Sequence, residues 1–236
     1  MIPRWAMIVA AVCCPVLSAQ RLSDLTLPTP LPPSSTLVIG FLGGFERWDD
    51  EHRSVRKLAL KLRESPGVFA ESISNRNRGV ALALIRLAFD ANRDGDLEPE
   101  ERASARIILY GQSLGGAAAI TTARDLDEIG IPVLLTVQVD SVGLHDKVIP
   151  PNVLAAVNFY QHDPLTIQGR RNIRAADPGK TRILGNFGAS YPLRLLSDPN
   201  TSWVRRTFGG SHAKMELDPN IWNQVGQSIF DAIARK

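Results

Sequence analysis

Ser113 stands at the centre of Gly111-Gln112-Ser113-Leu114-Gly115, a G-x-S-x-G spacing. The five residues before it, Arg106 to Tyr110, form an apolar, β-branched and aromatic run that predicts a buried strand. After it, Gly116-Ala-Ala-Ala-Ile-Thr-Thr-Ala begins a helix of small residues. Strand, sharp turn and helix together make the local frame that lifts a serine hydroxyl clear of its neighbours as a nucleophile. The glycines have a steric reason. A serine in a strained turn needs small residues two positions away, so that strand and helix can approach. The first N–H groups of such a helix, Leu114's foremost, point at any oxyanion formed over Ser113. A plain glycine-rich turn is the alternative reading of the same residues.

A serine hydroxyl is a weak nucleophile without a histidine base, and the base needs an acid to fix its tautomer. The chain holds four histidines, His52, His145, His162 and His212. Two aspartates end apolar segments downstream of the serine: Asp140 after Val133–Val139, and Asp163 after Val153–Tyr160. A carboxylate at a strand's C-terminal end shares a rim with the serine, because sites in such sheets lie beyond those ends. Asp140 with Ser141 could instead cap a turn.

A second constellation lies upstream. Asp90-Ala-Asn-Arg-Asp-Gly-Asp-Leu-Glu-Pro-Glu-Glu101 fits the twelve-residue calcium loop at each defined position. Asp90, Asn92 and Asp94 occupy positions 1, 3 and 5, and Gly95 the sharp turn. Asp96 would offer its carbonyl, Leu97 packs inward, Glu98 is the ninth-position ligand and Glu101 the bidentate twelfth. Six carboxylates in twelve residues repel one another without a cation. An acidic turn built on Asp94-Gly95 is the alternative. No second loop of this kind occurs, so the expected cofactor is one structural calcium ion rather than a paired sensor.

The elements that must position these groups follow from periodicity. Thr36–Phe41, Val68–Ile73, Val133–Val139, Val153–Tyr160 and Thr181–Leu184 read as further strands. Asp49–Glu64, Gly79–Phe89, Pro99–Ala105 and Pro219–Ala234 read as helices. From 186 to 210 the pattern is irregular, and a substrate-covering loop is one reading of it. The residues at 20–35, with Pro28, Pro30, Pro32 and Pro33, read as an extended, poorly packed leader.

A chain of 236 residues fits one domain, and 44% apolar with 22% charged residues is ordinary for a globular protein. The net charge of +3 is too small and scattered to suggest nucleic acid as a partner. Residues 1–19 carry a basic start, an apolar stretch too short for a bilayer, and Leu17-Ser18-Ala19 before Gln20. This predicts a signal peptide and a secreted or periplasmic protein with no stable membrane span. Cys13 and Cys14 both lie within it, so the mature chain would have neither disulfide nor thiolate chemistry. Asn200-Thr201-Ser202 is a glycosylation sequon.

Four stretches, Gly40-Phe-Leu-Gly-Gly44, Gly111–Gly115, Val139-Asp-Ser-Val142 and Ser211-His212, give residues 36 to 235 a resemblance to the α/β-hydrolases, and more narrowly to small secreted lipases and esterases. The resemblance implies one domain over 36–236, with the loop at 90–101 as an insert that plain members lack. It implies a mostly parallel sheet of about six strands with helices on both faces. It also implies the chain order serine, acid, histidine, which removes His52. His212, expected in a loop after a glycine pair and before the terminal helix, is then the base, with His162 behind it. Asp140 is the lipase-type acid, with Asp163 as the alternative. The loop after the first strand would supply the second oxyanion donor, the N–H of Leu42 with Gly43 the lesser choice. Many relatives carry His-Gly where this chain has Gly40-Phe41. The activity implied is hydrolysis of a small-molecule or lipid carboxylic ester. Thioesters or amides on the same site, or a non-catalytic calcium-binding scaffold, are the alternatives.

Overall fold

The computed structural model describes residues 20–163, 168–191 and 210–235. The signal-peptide reading, the sequon and most of the irregular 186–210 stretch lie outside them. In chain order the elements are β1 (Thr36–Leu42), α1 (Ser54–Leu62), β2 (Val68–Ser74), α2 (Arg78–Phe89), α3 (Pro99–Ser104), β3 (Ile107–Gln112), α4 (Leu114–Glu128), β4 (Val133–Val139), β5 (Val148–Ile149), β6 (Val153–Gln161), β7 (Arg174–Ala175), β8 (Arg182–Ala189), α5 (Gly210–Leu217) and α6 (Pro219–Ala234). Six strands form one sheet in the order β2-β1-β3-β4-β6-β8, and each neighbouring pair is parallel.

A parallel sheet needs cover on both faces, and the sequence provides it. All seven residues of β1 are buried. On one face Leu37, Ile39 and Phe41 pack with α2 and α4, through Leu84, Ile85, Ala119, Ile120 and Ala123. On the other, Val38, Ile108, Tyr110 and Val137 pack with α1 and α6, through Leu58, Leu62, Trp222, Val225 and Ile229. The sheet, its two helical layers and the strand–turn–helix at Ser113 make the α/β-hydrolase architecture, in a six-stranded form. No helix among the described residues is long and apolar enough to cross a membrane.

Three expectations are corrected. The leader is mostly exposed, as expected, but it is pinned at points: Gln20 is buried, its amide donating to Ser72 O at 2.9 Å and accepting from Ser74 N–H at 3.2 Å. Leu31 joins the core, and Thr26 bonds to the buried Glu71. The last strand runs on to Ala189, where Gly185 and Gly188 hide the strand pattern. As an edge strand it is mostly part-exposed, so it carries little apolar signal. Finally, His212 lies not in a loop but in the first turn of α5.

Candidate active site

β3 ends at Gln112 and α4 begins at Leu114, leaving Ser113 alone at the corner with φ 56° and ψ −126°. An L-residue with positive φ is held there only by its surroundings. The Ser113 N–H donates to Val139 O at 3.0 Å, and its carbonyl accepts from Val142 N–H at 3.1 Å, so β4 and its following turn fix the corner. The flanking glycines act as the sequence suggested. A Cβ on Gly111 would overlap the backbone of Gly115, and one on Gly115 would overlap the backbone of Phe41. Gly43 is equally confined, its missing Cβ lying 3.2 Å from the Ser113 Cβ.

The histidine and acid arrive from elements distant in sequence. Asp140, directly after β4, is fully buried and also has positive φ, 43°. Its N–H donates to Phe159 O at 2.7 Å, and its Oδ1 accepts from Gly169 N–H at 2.8 Å. Its Oδ2 lies 2.6 Å from His212 Nδ1, and His212 Nε2 lies 2.9 Å from Ser113 Oγ. Ser113, His212 and Asp140 thus form one continuous chain of hydrogen bonds.

The other candidates fall elsewhere. Asp163 accepts from the Ser211 hydroxyl at 2.8 Å, which ties down the start of α5 beside His212. His162 is exposed and packs edge-on against Tyr160, with ring centroids 4.9 Å apart. His52 is exposed and pairs with Asp50 at 3.1 Å, and the exposed His145 offers its carbonyl to Arg124. Leu114 is the first residue of α4, so its N–H has no partner one turn back in the helix. Leu42 is the buried last residue of β1, beside the elbow. Asn75 fastens the loop that follows, donating to Leu42 O at 2.9 Å and Gly44 O at 2.7 Å.

Sequence reasoning missed several supports. Gln112 is buried, with its amide nitrogen 3.4 Å from His212 Nε2. Gly169 must be glycine, since a Cβ there would overlap Asp140. Ser141 and Arg170 converge on buried Asp146 at 2.6 and 2.8 Å, bracing the turn that carries Asp140. Glu46, Arg53 and Glu216 form a charged cluster between β1, α1 and α5. Gln112 and Ser141 sit inside quoted motifs but at positions the motifs leave open; Gly169 and Arg170 follow four residues outside the described set, and the cluster is assembled by the fold.

The acidic loop keeps the turn geometry of its motif. Gly95 has φ 96°, and Leu97 is buried against α2. Asn92 Oδ1 accepts from Asp94 N–H, Asp94 Oδ1 from Asp96 N–H, and Asp90 Oδ2 from Gly95 N–H, all at 2.9 to 3.0 Å. The Glu101 oxygens accept from Ala91 N–H at 2.8 Å and Glu98 N–H at 3.0 Å. Asp90 is only 4% exposed, and its Oδ1 is buried without a hydrogen-bond partner. The Glu98 carboxyl is pushed above its usual range by Glu101 first and Asp94 second, so three acids crowd together. Among the described residues, no three acidic, histidine or cysteine side chains stand at metal-holding distances as arranged. The loop's turns, its orphaned buried oxygen and its crowded carboxyls nevertheless fit an oxygen-seeking cation such as calcium.

No protein-family model matches the chain, and no curated protein matches it significantly. Among solved structures it is similar to the RedJ thioesterase of the prodiginine pathway of Streptomyces coelicolor, at 10% identity over 86% of this chain and 95% of that one, TM-score 0.42. It is similar to an acetyl xylan esterase in an iodinated complex, at 13% identity over 86% of this chain and 100% of that one, TM-score 0.40. A third is a protein of Xanthomonas campestris pv. campestris assigned as a hydrolase of the α/β superfamily, at 18% identity over 84% and 99%, TM-score 0.34. Likenesses this distant leave the chemistry to be argued from the site itself.

Proposed function

We propose that this protein is a serine hydrolase that cleaves carboxylic esters. The observation that carries the reading is the unbroken relay from Ser113 Oγ to His212 Nε2 at 2.9 Å and from His212 Nδ1 to Asp140 Oδ2 at 2.6 Å. Ser113 Oγ attacks the ester carbonyl and its proton passes to His212 Nε2. Asp140, held by Gly169 N–H and excluded from water, keeps the imidazole oriented and stabilises the imidazolium. The oxyanion meets the N–H groups of Leu114 and Leu42, each worth about 3 to 4 kcal/mol by comparison with other enzymes. Collapse expels the alcohol, which takes the proton from His212. Water, deprotonated by the same histidine, then releases the acid and restores Ser113.

The acidic loop would hold one calcium ion through Asp90, Asn92, Asp94, Glu98, Glu101 and the Asp96 carbonyl. The ion would neutralise the carboxylates and stiffen the segment that leads through α3 into β3. Residues 1–19 support export of the protein.

The test is hydrolysis of p-nitrophenyl esters from short to long acyl, by the protein and by its Ser113→Ala variant. Turnover that vanishes in the variant supports the reading, and the acyl preference defines the substrate class. Equal background rates in both overturn it and leave the calcium-binding scaffold as the account. Parallel assays on thioesters and anilides separate the remaining chemistries.

A further inference from the structure

The two parts of the site that must move least are the loop after β1, at 43–46, and the α5 helix that carries His212. They are joined by a charged contact with no role in the chemistry above. Arg53, at the entrance of α1, places its Nη1 3.2 Å from Glu46 Oε1 and 3.2 Å from Glu216 Oε1. Its Nε holds Asp50 Oδ2 at 3.0 Å. Glu46 lies in the loop after β1, where its backbone N–H donates to the Gly43 carbonyl at 3.1 Å. Glu216 lies one helical turn beyond His212, with its side chain 2% exposed. The backbone carbonyl of Glu216 also accepts from the Ser54 hydroxyl at 2.5 Å.

Buried charge of this kind is weak evidence for stability, because desolvation offsets most of the attraction. One guanidinium facing a buried and a part-buried carboxyl is an expensive way to hold a surface together. It is an effective way to fix the distance between two elements, since the fork has set geometry. Resting on the ester-hydrolase reading above, we propose that Glu46, Arg53 and Glu216 form a clamp locking the Gly43–Glu46 loop to the His212 helix, and that all three are positioning residues for hydrolysis. Through Gly43 the clamp sets the position of the neighbouring Leu42 N–H, and through α5 it sets the reach of His212 to Ser113.

The protonation of the clamp supports this role. Burial, then the neighbouring Glu216, pushes the Glu46 carboxyl up to about 8, against the opposing pull of Arg53 and the Gly43 N–H. Burial also raises the Glu216 carboxyl, again against Arg53. Among the described residues, the charged groups facing the pair are Asp50 and Arg53 from the entrance of α1 and His212 from α5. Below pH about 8 the pair retains a proton, and above it a further negative charge appears beside Gly43. That charge opposes an oxyanion bound by the adjacent loop, so turnover should fall as pH rises through this range.

The experiment compares wild type, Ser113→Ala, Arg53→Met, Arg53→Lys and Glu46→Gln on the best p-nitrophenyl ester, with kcat, KM and melting temperature for each. Small misplacements of catalytic groups cost up to about 100-fold. Arg53→Met is expected to lose about 10- to 100-fold in kcat with KM within about twofold, and Arg53→Lys to recover most of the loss. Wild type is expected to show an alkaline limb near pH 8, and Glu46→Gln to lose it. Wild-type kcat in Arg53→Met, an equal loss in Arg53→Lys, a loss confined to KM, or an unchanged alkaline limb in Glu46→Gln would each overturn the clamp. If Arg53→Met does not fold, Arg53→Gln carries the same reading. Should wild type be no faster than Ser113→Ala, the ester-hydrolase reading fails separately. The clamp is then judged by amide exchange in wild type and Arg53→Met. It stands as a structural device if exchange rises together at 43–46 and 210–217, and falls if either segment is unchanged.

Discussion

The elbow and the acidic loop are both turns with a positive-φ residue, and they solve opposite problems. At the elbow the chain supplies every partner. Asp140 is fully buried, yet both its oxygens accept hydrogen bonds, from Gly169 N–H and from His212. At the acidic loop the carboxyls face one another and the backbone, and buried Asp90 Oδ1 has no partner. A buried acid with both oxygens hydrogen-bonded has its desolvation offset; one with an orphaned oxygen does not, unless a cation binds it. The first region should therefore fail through side-chain loss, and the second through changes in the solution.

The largest effect expected is at the relay. Ser113→Ala and His212→Ala should each lose at least about 10⁴-fold in kcat, and Asp140→Asn nearly as much, since loss of any member disables the unit. Asp163→Asn sharpens the contrast between the two acids. It removes a bond to Ser211, not to the imidazole, so it should cost no more than about tenfold through the α5 start. An Asp163→Asn loss equal to that of Asp140→Asn would reverse the assignment.

Next comes the packing of the elbow. Gly115→Ala would drive its methyl into the Phe41 backbone. Backbone cannot rotate aside as a flexible side chain can, so overpacking here should cost about 1 to 3 kcal/mol or more. Thermal unfolding should show a fall of several degrees, by the usual scaling for a chain of this size. An alanine variant that melts with wild type would mean that the strand and helix are not locked together as described.

These sites were unevenly legible in the sequence, for physical reasons. The elbow was readable because its constraint is local: five residues, a strand and a helix in immediate succession. The turn at Gly95 in the acidic loop was readable for the same reason. Asp140 could be narrowed but not chosen over Asp163 on residues alone, because both end buried parallel strands. The placement of His212 on a helix was missed because Gly209-Gly210-Ser211 looks like a turn, whereas Gly210 itself starts α5. The Arg53 clamp was out of reach, since Arg53 and Glu216 are 163 positions apart and each looks like an ordinary surface charge. Strand β8 was shortened because glycines dilute the period-two pattern on an edge.

The acidic loop should respond to the medium where the elbow does not. Extracellular calcium modules bind at about 10⁻⁴ to 10⁻³ M. At about 10 mM calcium, binding to the folded state alone would then add about 1.4 to 2.7 kcal/mol. This corresponds to roughly 3 to 10 °C in melting temperature for a chain of this size. Chelator should remove the gain, and Asp90→Asn with Glu101→Gln should abolish it, while kcat at low temperature stays close to wild type. An equal calcium shift in that double variant would sink the loop as the binding site.

A pH dependence sets the clamp's carboxyl apart from both turns. Burial and Glu216 raise Glu46 from 4.5 to about 8, so between these values the folded protein binds a proton that the unfolded chain has released. The stability tied to that proton is fully present below pH 4.5 and is lost as pH rises through about 8. Glu46→Gln cannot ionise and escapes this loss. Its melting temperature, relative to wild type, should therefore rise between pH 5 and pH 8 and level off above about 9. Its loss of the ion pair with Arg53 sets the starting difference but not the slope. A difference that stays flat across this range would mean that Glu46 is ionised throughout, and that Arg53 faces two full charges rather than a pair sharing a proton.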